Sequence, residues 1–338
     1  MSGHPIARDR LRTLLDAPRK HRIAVVGDAM LDVYLNGDVG RISPEAPVPV
    51  VRVRDRRFAL GGAANVAHNV AALGARVELV AAVGTDDGAA RIREMLRALG
   101  ADSGGLVAVP RPTTTKTRVV ARAQQVVRVD EEVDDDCSSA EVARLNEAVE
   151  RAVRTADALI LEDYNKGVLV PAVIEHAIGL ARRRRIPVVV DPKYRNFFSY
   201  KGATVFKPNR RELEAALGAA VDVDHPETLP ALLERLGVEA ILLTLAERGM
   251  TLIERGATAA EGGAAVHRIP AAARDVYDVV GAGDTVTGWL AVMLACGASP
   301  LEASVIANLA AGVEVAKLGA ATVSAAEVLA AFDAPGEG

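Results

Sequence analysis

An octapeptide near the C-terminal end of the chain, Asp278 to Thr285 (DVVGAGDT), combines small residues with two carboxylates directly before an apolar run. Its Gly281 to Gly283 segment leaves backbone N–H groups uncovered, and the run Val286 to Ala295 predicts a helix whose N-terminal dipole favours negative charge. These amides could stabilise a phosphoryl group in transfer, while Asp284 could accept the proton of an attacking alcohol. The alternative is a glycine-rich loop in which Asp284 only caps a helix.

A second glycine-rich element, Gly61 to Asn65 (GGAAN), opens a predicted helix that runs through Asn69 to Leu73. Its glycines permit close approach of a ligand, and Asn65 offers both a donor and an acceptor to hydroxyl groups. A tight turn with a helix cap is the alternative. Neither a Walker A loop nor a dinucleotide fingerprint after a strand occurs, so a nucleotide would need a different cradle.

The elements that must position these motifs alternate between short β-branched runs and longer helical segments, which predicts an α/β fold with a parallel sheet covered on both faces. The candidate strands are Ile23–Val26, Val77–Val83, Ala158–Leu161, Val188–Val190, Thr204–Phe206 and Ile241–Leu243. Polar residues follow several of them, where the ligand crevice of an open α/β sheet lies. They are Asp28, Glu162, Asp163, Asp191, Lys193, Lys207, Asn209 and Thr244.

Two stretches depart from this alternation of strands and helices, because they are extended without a crossover helix between their strands. They are Val48 to Phe58 and Thr113 to Val129. We expect them in a small sheet that stands off the main one. Since both are charged as well as β-rich, they could cover a polar ligand as a lid or pair with a second subunit.

The composition excludes several classes of protein. The 338 residues carry a net charge of −4 with a pI near 5.9, so no global attraction to nucleic acid is expected. No apolar run approaches a membrane span, and residues 1–20 lack the apolar segment of a signal peptide, so we expect a cytoplasmic protein without membrane contact. Two cysteines and six scattered histidines do not fit a disulfide framework or a histidine-held metal.

The two glycine-rich motifs together resemble the signatures of the PfkB (ribokinase-like) family of carbohydrate kinases, as Leu60 to Ala67 and Asp278 to Thr285, and the resemblance runs from about Ile23 to about Leu329. It implies a three-layer α/β/α fold with a mostly parallel central sheet and a small β-sheet lid. The chain would be one kinase domain, 1–338, with lid strands at about 36–60 and 111–131 and a loose tail at 333–338.

The resemblance also implies site residues and cofactors. Asp284 would be the catalytic base, and the amides of Gly281, Ala282 and Gly283 the anion hole. The sugar would lie between Asp32, Gly61, Gly62, Asn65, Glu162 and Asp163. ATP would lie along Asn209, Arg210, Arg211, Glu212, Thr244, Gly249, Asn308 and Gly312, with Mg²⁺ organised indirectly by Glu212. In parts of the family a monovalent cation such as K⁺ sits near the residue that corresponds to Asp278.

Three further motifs, Gly40 to Val50, Leu161 to Gly167 and Gln124 to Asp130, resemble the heptose-7-phosphate kinases of that family. This implies transfer from ATP to O1 of D-glycero-β-D-manno-heptose 7-phosphate, on the route to ADP-heptose and the lipopolysaccharide core. Since the chain stops at Gly338, we expect a stand-alone kinase served by a separate adenylyltransferase.

The substrate phosphate would need cations away from the chemistry, and Lys116, Arg118, Arg122 and Lys193 are available. The lid cations could instead simply solubilise an edge strand. Other readings stay open: another sugar, sugar-phosphate or nucleoside kinase, or a sugar-binding regulator that has lost catalysis. The lid strands also predict a homodimer.

Overall fold

The computed structural model describes residues 6–122, 124–225, 229–255, 264–273, 276–317, 319 and 321–334. The helices are α1 (Arg8–Asp16), α2 (Ala63–Ala72), α3 (Asp87–Ala98), α4 (Ser139–Val153), α5 (Pro171–Arg184), α6 (Arg210–Leu217), α7 (Ala231–Leu236), α8 (Ala282–Ala295), α9 (Pro300–Glu314) and α10 (Ala325–Asp333). The strands are β1 (Arg22–Gly27), β2 (Ala29–Ile42), β3 (Pro49–Gly62), β4 (Arg76–Val83), β5 (Leu106–Ala108), β6 (Thr115–Ala121), β7 (Gln124–Glu131), β8 (Ala158–Glu162), β9 (Val188–Asp191), β10 (Val205–Phe206), β11 (Ala240–Thr244), β12 (Met250–Arg255) and β13 (Ala264–Ile269).

The main sheet has nine strands in the order β13-β12-β11-β10-β9-β8-β1-β4-β5. Strands β11 through β5 in that order are parallel, and β12 and β13 add an antiparallel hairpin at one edge. All six predicted strands of the sheet are present, although β10 begins at Val205 rather than Thr204. The sequence did not predict β5, β12, β13 or the part of β2 that precedes residue 36.

Helices cover both faces of this sheet, because its central strands are apolar on both sides. In β1, Ile23 and Val25 face a core built with α2, α8 and α9, whereas Ala24 and Val26 face a core built with α4 and α5. The predicted class, an α/β fold with a mostly parallel central sheet, a second small sheet and helices on both sides, is confirmed. No described helix is long and apolar enough to cross a membrane.

The small sheet has the order β3-β2-β6-β7. Strand β2 pairs antiparallel with β3 and parallel with β6, and β6 forms a hairpin with β7. The inner ends of β2 and β3 are buried, and Ala29 and Met30 of β2 pair there with Gly62 and Gly61 of β3, whereas the outer ends are exposed. We call these four strands the lid. The lid therefore includes the first two residues of the first glycine-rich motif, Gly61 and Gly62.

The C-terminal end of the chain packs onto its beginning. Asp333 ends α10 and forms an ion pair of 2.5 Å with Arg8 of α1. Of the predicted tail at 333–338, residues 335–338 lie outside the described residues.

Candidate active site

Asp284 is the third residue of α8, and its carboxylate is buried, with the whole residue 5% exposed. Asn65 of α2 donates from Nδ2 to Asp284 Oδ2 at 2.7 Å, and the Tyr164 hydroxyl donates to Oδ1 at 2.8 Å. Gly288 permits this meeting, because a Cβ there would lie 3.1 Å from the Asn69 Cβ where α2 packs on α8. The two glycine-rich motifs of the sequence thus meet at one carboxylate.

Helix α8 begins at Ala282, four residues earlier than the predicted run at Val286. Gly281 precedes it with φ of 95°, a left-handed conformation that favours glycine. The first N–H groups of a helix have no partners within the helix, so this turn presents amides and the positive end of the helix dipole. A Cβ on Gly283 would lie 3.8 Å from both Asp191 Oδ2 and Lys207 Nζ, so this end of α8 faces the ends of β9 and β10.

A group of buried carboxylates occupies those strand ends. Glu162 ends β8 and is the register partner of Asp191 at the end of β9. Lys207, which follows β10, donates from Nζ to Asp191 Oδ2 at 2.7 Å and is itself buried. Neither carboxylate oxygen of Glu162 has a hydrogen-bond partner in the described part of the chain. We call Glu162, Asp191, Lys207 and Asp284 the carboxylate cluster.

Burial dominates the ionisation of this cluster. It raises the pKa of Asp284 to about 6, against the hydrogen bonds from Asn65 and Tyr164. Burial, followed by the charges of Asp191 and Asp284, raises the pKa of Glu162 well above its ordinary value. A base whose pKa lies one unit below neutral is about 90% ionised at pH 7, which suits proton acceptance from an alcohol.

The turn after β8 is held by Asp28, which follows β1. Its carboxylate accepts the backbone N–H groups of Tyr164, Lys166 and Val168 at 2.8, 2.9 and 3.2 Å. Burial raises the pKa of Asp28 to about 6, and these three donors act in the opposite direction. Asp28 therefore fixes the backbone that carries Tyr164.

The predicted sugar residues lie on both sides of this turn. Gly62 has φ of 54°, and a Cβ there would lie 2.4 Å from the Asp28 carbonyl oxygen, so the turn requires glycine. A Cβ on Gly61 would lie 2.7 Å from Asp32 Oδ2. By contrast, the Asp163 carboxylate accepts hydrogen bonds from the Tyr200 hydroxyl at 2.8 Å and from the backbone N–H of Asn165. Both of its oxygens are therefore already bonded within the fold.

Three of the four predicted phosphate cations, Lys116, Arg118 and Lys193, are already paired with carboxylates. Arg118 of β6 forms an ion pair with Asp32 of β2 and also stacks over the Tyr34 ring at 5.3 Å. Lys116 lies between Glu132 at 3.3 Å and Asp130 at 3.6 Å. A substrate phosphate that binds to either cation would have to compete with these carboxylates.

The predicted nucleotide motif from Asn209 to Glu212 forms a capping box at the start of α6. The Glu212 N–H donates to Asn209 Oδ1 at 2.9 Å, and the Asn209 N–H donates to Glu212 Oε2 at 2.9 Å. The other carboxylate oxygen of Glu212, Oε1, forms an ion pair with Lys193. Burial opposes the charge of Lys193, yet Asp191 and Glu212 raise its pKa, so this lysine joins the capping box to the carboxylate cluster.

The remaining predicted nucleotide residues make local contacts within the fold. Thr244 pairs with Asn209 in an isolated parallel bridge, and a Cβ on Gly249 would lie 2.2 Å from the Ile269 carbonyl oxygen. Asn308 of α9 donates to the Pro270 carbonyl at 2.8 Å, and Gly312 lies against Ala272, where a Cβ would be 2.9 Å from the Ala272 carbonyl carbon. Arg210 pairs with Glu214 along α6, and Arg211 is exposed.

Asp278 lies at the other end of the octapeptide, where its carboxylate accepts the N–H groups of Val280 at 3.0 Å and Gly319 at 3.1 Å. Glu314 at the end of α9 is fully buried, and neither of its carboxylate oxygens has a hydrogen bond of normal geometry among the described residues. Burial, with the charges of Asp278 and Asp284, raises the pKa of Glu314 to about 8. Sequence reasoning gave no role to Glu314.

Residues 20–327 match the profile described as the pfkB family carbohydrate kinase. The chain belongs to this family of carbohydrate kinases. It is therefore a sugar kinase, a phosphotransferase with an alcohol group as acceptor, as the sequence motifs predicted.

Among curated relatives, the bifunctional protein HldE of Azorhizobium caulinodans is 49% identical over 316 residues, covering 92% of this chain and 64% of that protein. The HldE protein of Granulibacter bethesdensis is 46% identical over 316 residues, covering 92% and 65%. The chain thus spans just under two thirds of the length of these relatives.

Among solved structures, Arabidopsis thaliana ribokinase complexed with ribose and ATP superposes with a TM-score of 0.70 at 20% identity, covering 93% of this chain and 99% of that one. The tetrameric inhibited form of Escherichia coli phosphofructokinase-2 gives 0.73 at 18% identity, covering 92% and 98%. These likenesses confirm the predicted ribokinase-like fold.

Four residues that organise the site were not predicted as site residues: Asp28, Tyr164, Asp191 and Lys207. The sequence had marked Asp28, Asp191 and Lys207 only as polar residues that follow strands, and Tyr164 only as part of the motif Leu161 to Gly167. What the sequence lacked was any sign of which side chain each would contact.

Proposed function

We propose that the chain transfers the γ-phosphoryl group of ATP to O1 of D-glycero-β-D-manno-heptose 7-phosphate, giving the 1,7-bisphosphate. One observation carries the mechanism: the Asp284 carboxylate is buried, held by Asn65 and Tyr164, and set beside the amide end of α8. The heptose motifs and the likeness to HldE proteins support the choice of sugar. The product would serve the synthesis of ADP-heptose for lipopolysaccharide, in the cytoplasm.

In this mechanism the O1 hydroxyl donates its proton to Asp284 as the bond from O1 to phosphorus forms and the bond to ADP breaks. The amides of Gly281, Ala282 and Gly283 would stabilise the charge on the transferred group, and Lys207 beside Gly283 would add a positive charge. Glu162 would bind a sugar hydroxyl, because neither of its buried carboxylate oxygens has a hydrogen-bond partner among the described residues.

ATP and Mg²⁺ are the proposed cofactors. Among the described residues no group of three or more possible ligands is poised to hold a metal ion. Mg²⁺ commonly keeps several waters and binds through one or two carboxylates plus the phosphates of its nucleotide. Glu212 would take that indirect role, and the ion or its waters would compete with Lys193, which pairs with Glu212 Oε1. A monovalent cation such as K⁺ near Asp278 is part of the same proposal.

The Asp284→Asn variant tests the base. We expect sugar-dependent ADP release to fall by at least a thousand-fold, because loss of a general base costs about two to four orders of magnitude and the amide also donates into the site. The control is the unfolding temperature, which should stay near that of the original protein. Activity within ten-fold of the original would refute the mechanism.

A panel of acceptors tests the substrate. ADP release would be measured with heptose 7-phosphate, the unphosphorylated heptose, ribose and fructose 6-phosphate under one set of conditions. We expect the highest kcat/KM with heptose 7-phosphate. A preference for an unphosphorylated sugar would contradict the assignment and favour another kinase of this fold. If none of the acceptors supported ADP release, the result would favour a binding role.

We also propose a homodimer that forms through the lid. The lid exposes apolar side chains over more than a third of their surface, namely Ile42, Val53, Val126, Val127 and Val129. Such a patch on a sheet with free edges is typical of an association surface. Sedimentation equilibrium of the original protein and of a Val127→Lys/Val129→Lys variant would test it, with a monomer in both cases as the contrary result.

A further inference from the structure

Tyr164 is placed by a turn that leaves its side chain little freedom. Its backbone N–H is bound by buried Asp28, and the next residue, Asn165, has φ of 55°. Gly167 has φ of 81°, and a Cβ there would lie 2.1 Å from the Asp135 carbonyl oxygen. The turn that carries Tyr164 is therefore specified by several residues independently of Asp284.

The ring of Tyr164 is packed on two sides. Lys193 Nζ lies over it, 5.1 Å from the ring centre, and a Cβ built on Gly62 would lie 3.4 Å from its Cδ2. From this position the hydroxyl donates to Asp284 Oδ1 at 2.8 Å. The hydroxyl thus reaches the proposed base along a direction that the packing has already set.

We propose that Tyr164 is a positioning residue that holds Asp284 in its ionised form and aims one carboxylate oxygen at the acceptor alcohol. This inference rests on the proposed role of Asp284 as base. It assigns to Tyr164 a function in the reaction rather than in folding alone.

Hydrogen-bond capacity supports the assignment. Asp284 Oδ2 accepts Asn65 and Oδ1 accepts Tyr164, and a carboxylate has about four lone-pair sites, so each oxygen keeps one for the alcohol. Burial, with the negative charges around it, raises the pKa of the Tyr164 hydroxyl well above its ordinary value. Tyr164 therefore keeps its proton, and the proton released by the alcohol ends on Asp284.

Several charged groups face Asp284 from the elements packed against it. Burial is the largest influence on its pKa and raises it, Asp191 of β9 also raises it, and Lys207 after β10 lowers it. Glu162 of β8 and Glu314 of α9 interact with the same charge. The two hydrogen bonds, from Asn65 and Tyr164, act against burial and favour the ionised form.

The Tyr164→Phe variant removes only the hydroxyl. Because a hydrogen bond to a charged acceptor is worth more than a neutral one, we expect the acid limb of the kcat/KM profile to move up by about one pH unit. Activity on the acid side would then fall about ten-fold further than activity at pH 9. The substrate phosphate titrates in the same range for both proteins, so the difference between the two profiles isolates the enzyme.

The matched control is Tyr200→Phe, which removes another buried tyrosine hydroxyl bound to a carboxylate, that of Asp163, at 2.8 Å. We expect Tyr200→Phe to lower the unfolding temperature without moving the acid limb. An unmoved limb in Tyr164→Phe, or an equal movement in both variants, would overturn the proposal.

A second measurement needs no turnover. The carboxyl ¹³C resonance of Asp284, assigned by its absence in Asp284→Asn, should titrate at higher pH in Tyr164→Phe than in the original protein. Replacement of Tyr164 by 3-fluorotyrosine, whose hydroxyl is a stronger donor, should move the titration the other way. An original protein without sugar-dependent turnover would refute the proposed function, whereas an active protein whose Asp284 titration ignores position 164 would refute this inference alone.

Discussion

Lys207→Met is the sharpest test of the electrostatics of the carboxylate cluster. Lys207 is 3% exposed, and its Nζ lies 2.7 Å from Asp191 Oδ2, while Glu162 beside it is fully buried. Burial opposes the charge of Lys207, but Asp191 and Glu162 raise its pKa. The substitution keeps an apolar stem of similar length and removes the cation, so two buried carboxylates lose their compensating charge.

Breaking a buried ion pair by removing one partner costs about 3–5 kcal/mol, because the remaining charge stays buried without its partner. We expect a loss of that size in the free energy of unfolding at pH 8. Since domains of this kind are stable by about 5–15 kcal/mol, the variant should still fold. Urea unfolding can be followed by fluorescence, because the chain has one tryptophan, Trp289, and it is fully buried in α8.

The pH dependence separates charge from packing. Burial already raises the pKa of Glu162 and Lys207 lowers it, so without Lys207 this pKa rises further and the folded variant holds the Glu162 proton to a higher pH than the folded original protein does. The variant therefore gains stability relative to the original protein as pH falls from 8 towards 5. The matched control, Lys201→Met at an exposed lysine, should change stability by less than about 0.5 kcal/mol. A loss below about 1 kcal/mol, or one independent of pH, would refute the reasoning.

Two further predictions concern positions outside the cluster's ion pair. Gly27→Ala should destabilise by at least about 1–3 kcal/mol, because its Cβ would lie 2.0 Å from the Glu162 carbonyl oxygen, whereas Gly40→Ala meets nothing within 4 Å; equal urea midpoints would contradict this. Glu314→Gln should raise the unfolding temperature most at pH 8–9. Because burial raises the pKa of Glu314 to about 8, the original protein loses stability between about pH 4.5 and 8 and the variant does not, so a difference that shrinks with rising pH would disprove it.

Local sequence was sufficient to predict the strands that consist of one uninterrupted apolar run. The strand Val77 to Val83 and the polar residues after each parallel strand follow from a short apolar run and a turn. Strand β2 was predicted only in its outer part, within the lid range of about 36–60. Its inner part, residues 29–35, was missed because it follows β1 after a single residue, without the crossover helix that the βα pattern leads one to expect. Its pairing with β3 and β6 stabilises it, and pairing partners are not visible in a single segment.

The motif from Asn209 to Glu212 shows a different limit. Its residue types fit a nucleotide site, and the same spacing fits a capping box, which the structure contains. The two roles are compatible, because the capping box uses Oε2 of Glu212 and leaves Oε1 to Lys193. Sequence could not choose between them since neither excludes the other.

Asp284 could be predicted as a candidate base, but its ionisation could not. Its carboxylate accepts hydrogen bonds from Asn65 of α2 and Tyr164 after β8, and the charges of Asp191 on β9 and Lys207 after β10 act on it. Burial pushes the pKa up, two neutral donors and one cation push it down, and one carboxylate adds to burial. A base that works near neutral pH needs that balance. Removing either neutral donor or the Lys207 cation should therefore move the acid limb to higher pH, and removing the Asp191 carboxylate should move it to lower pH.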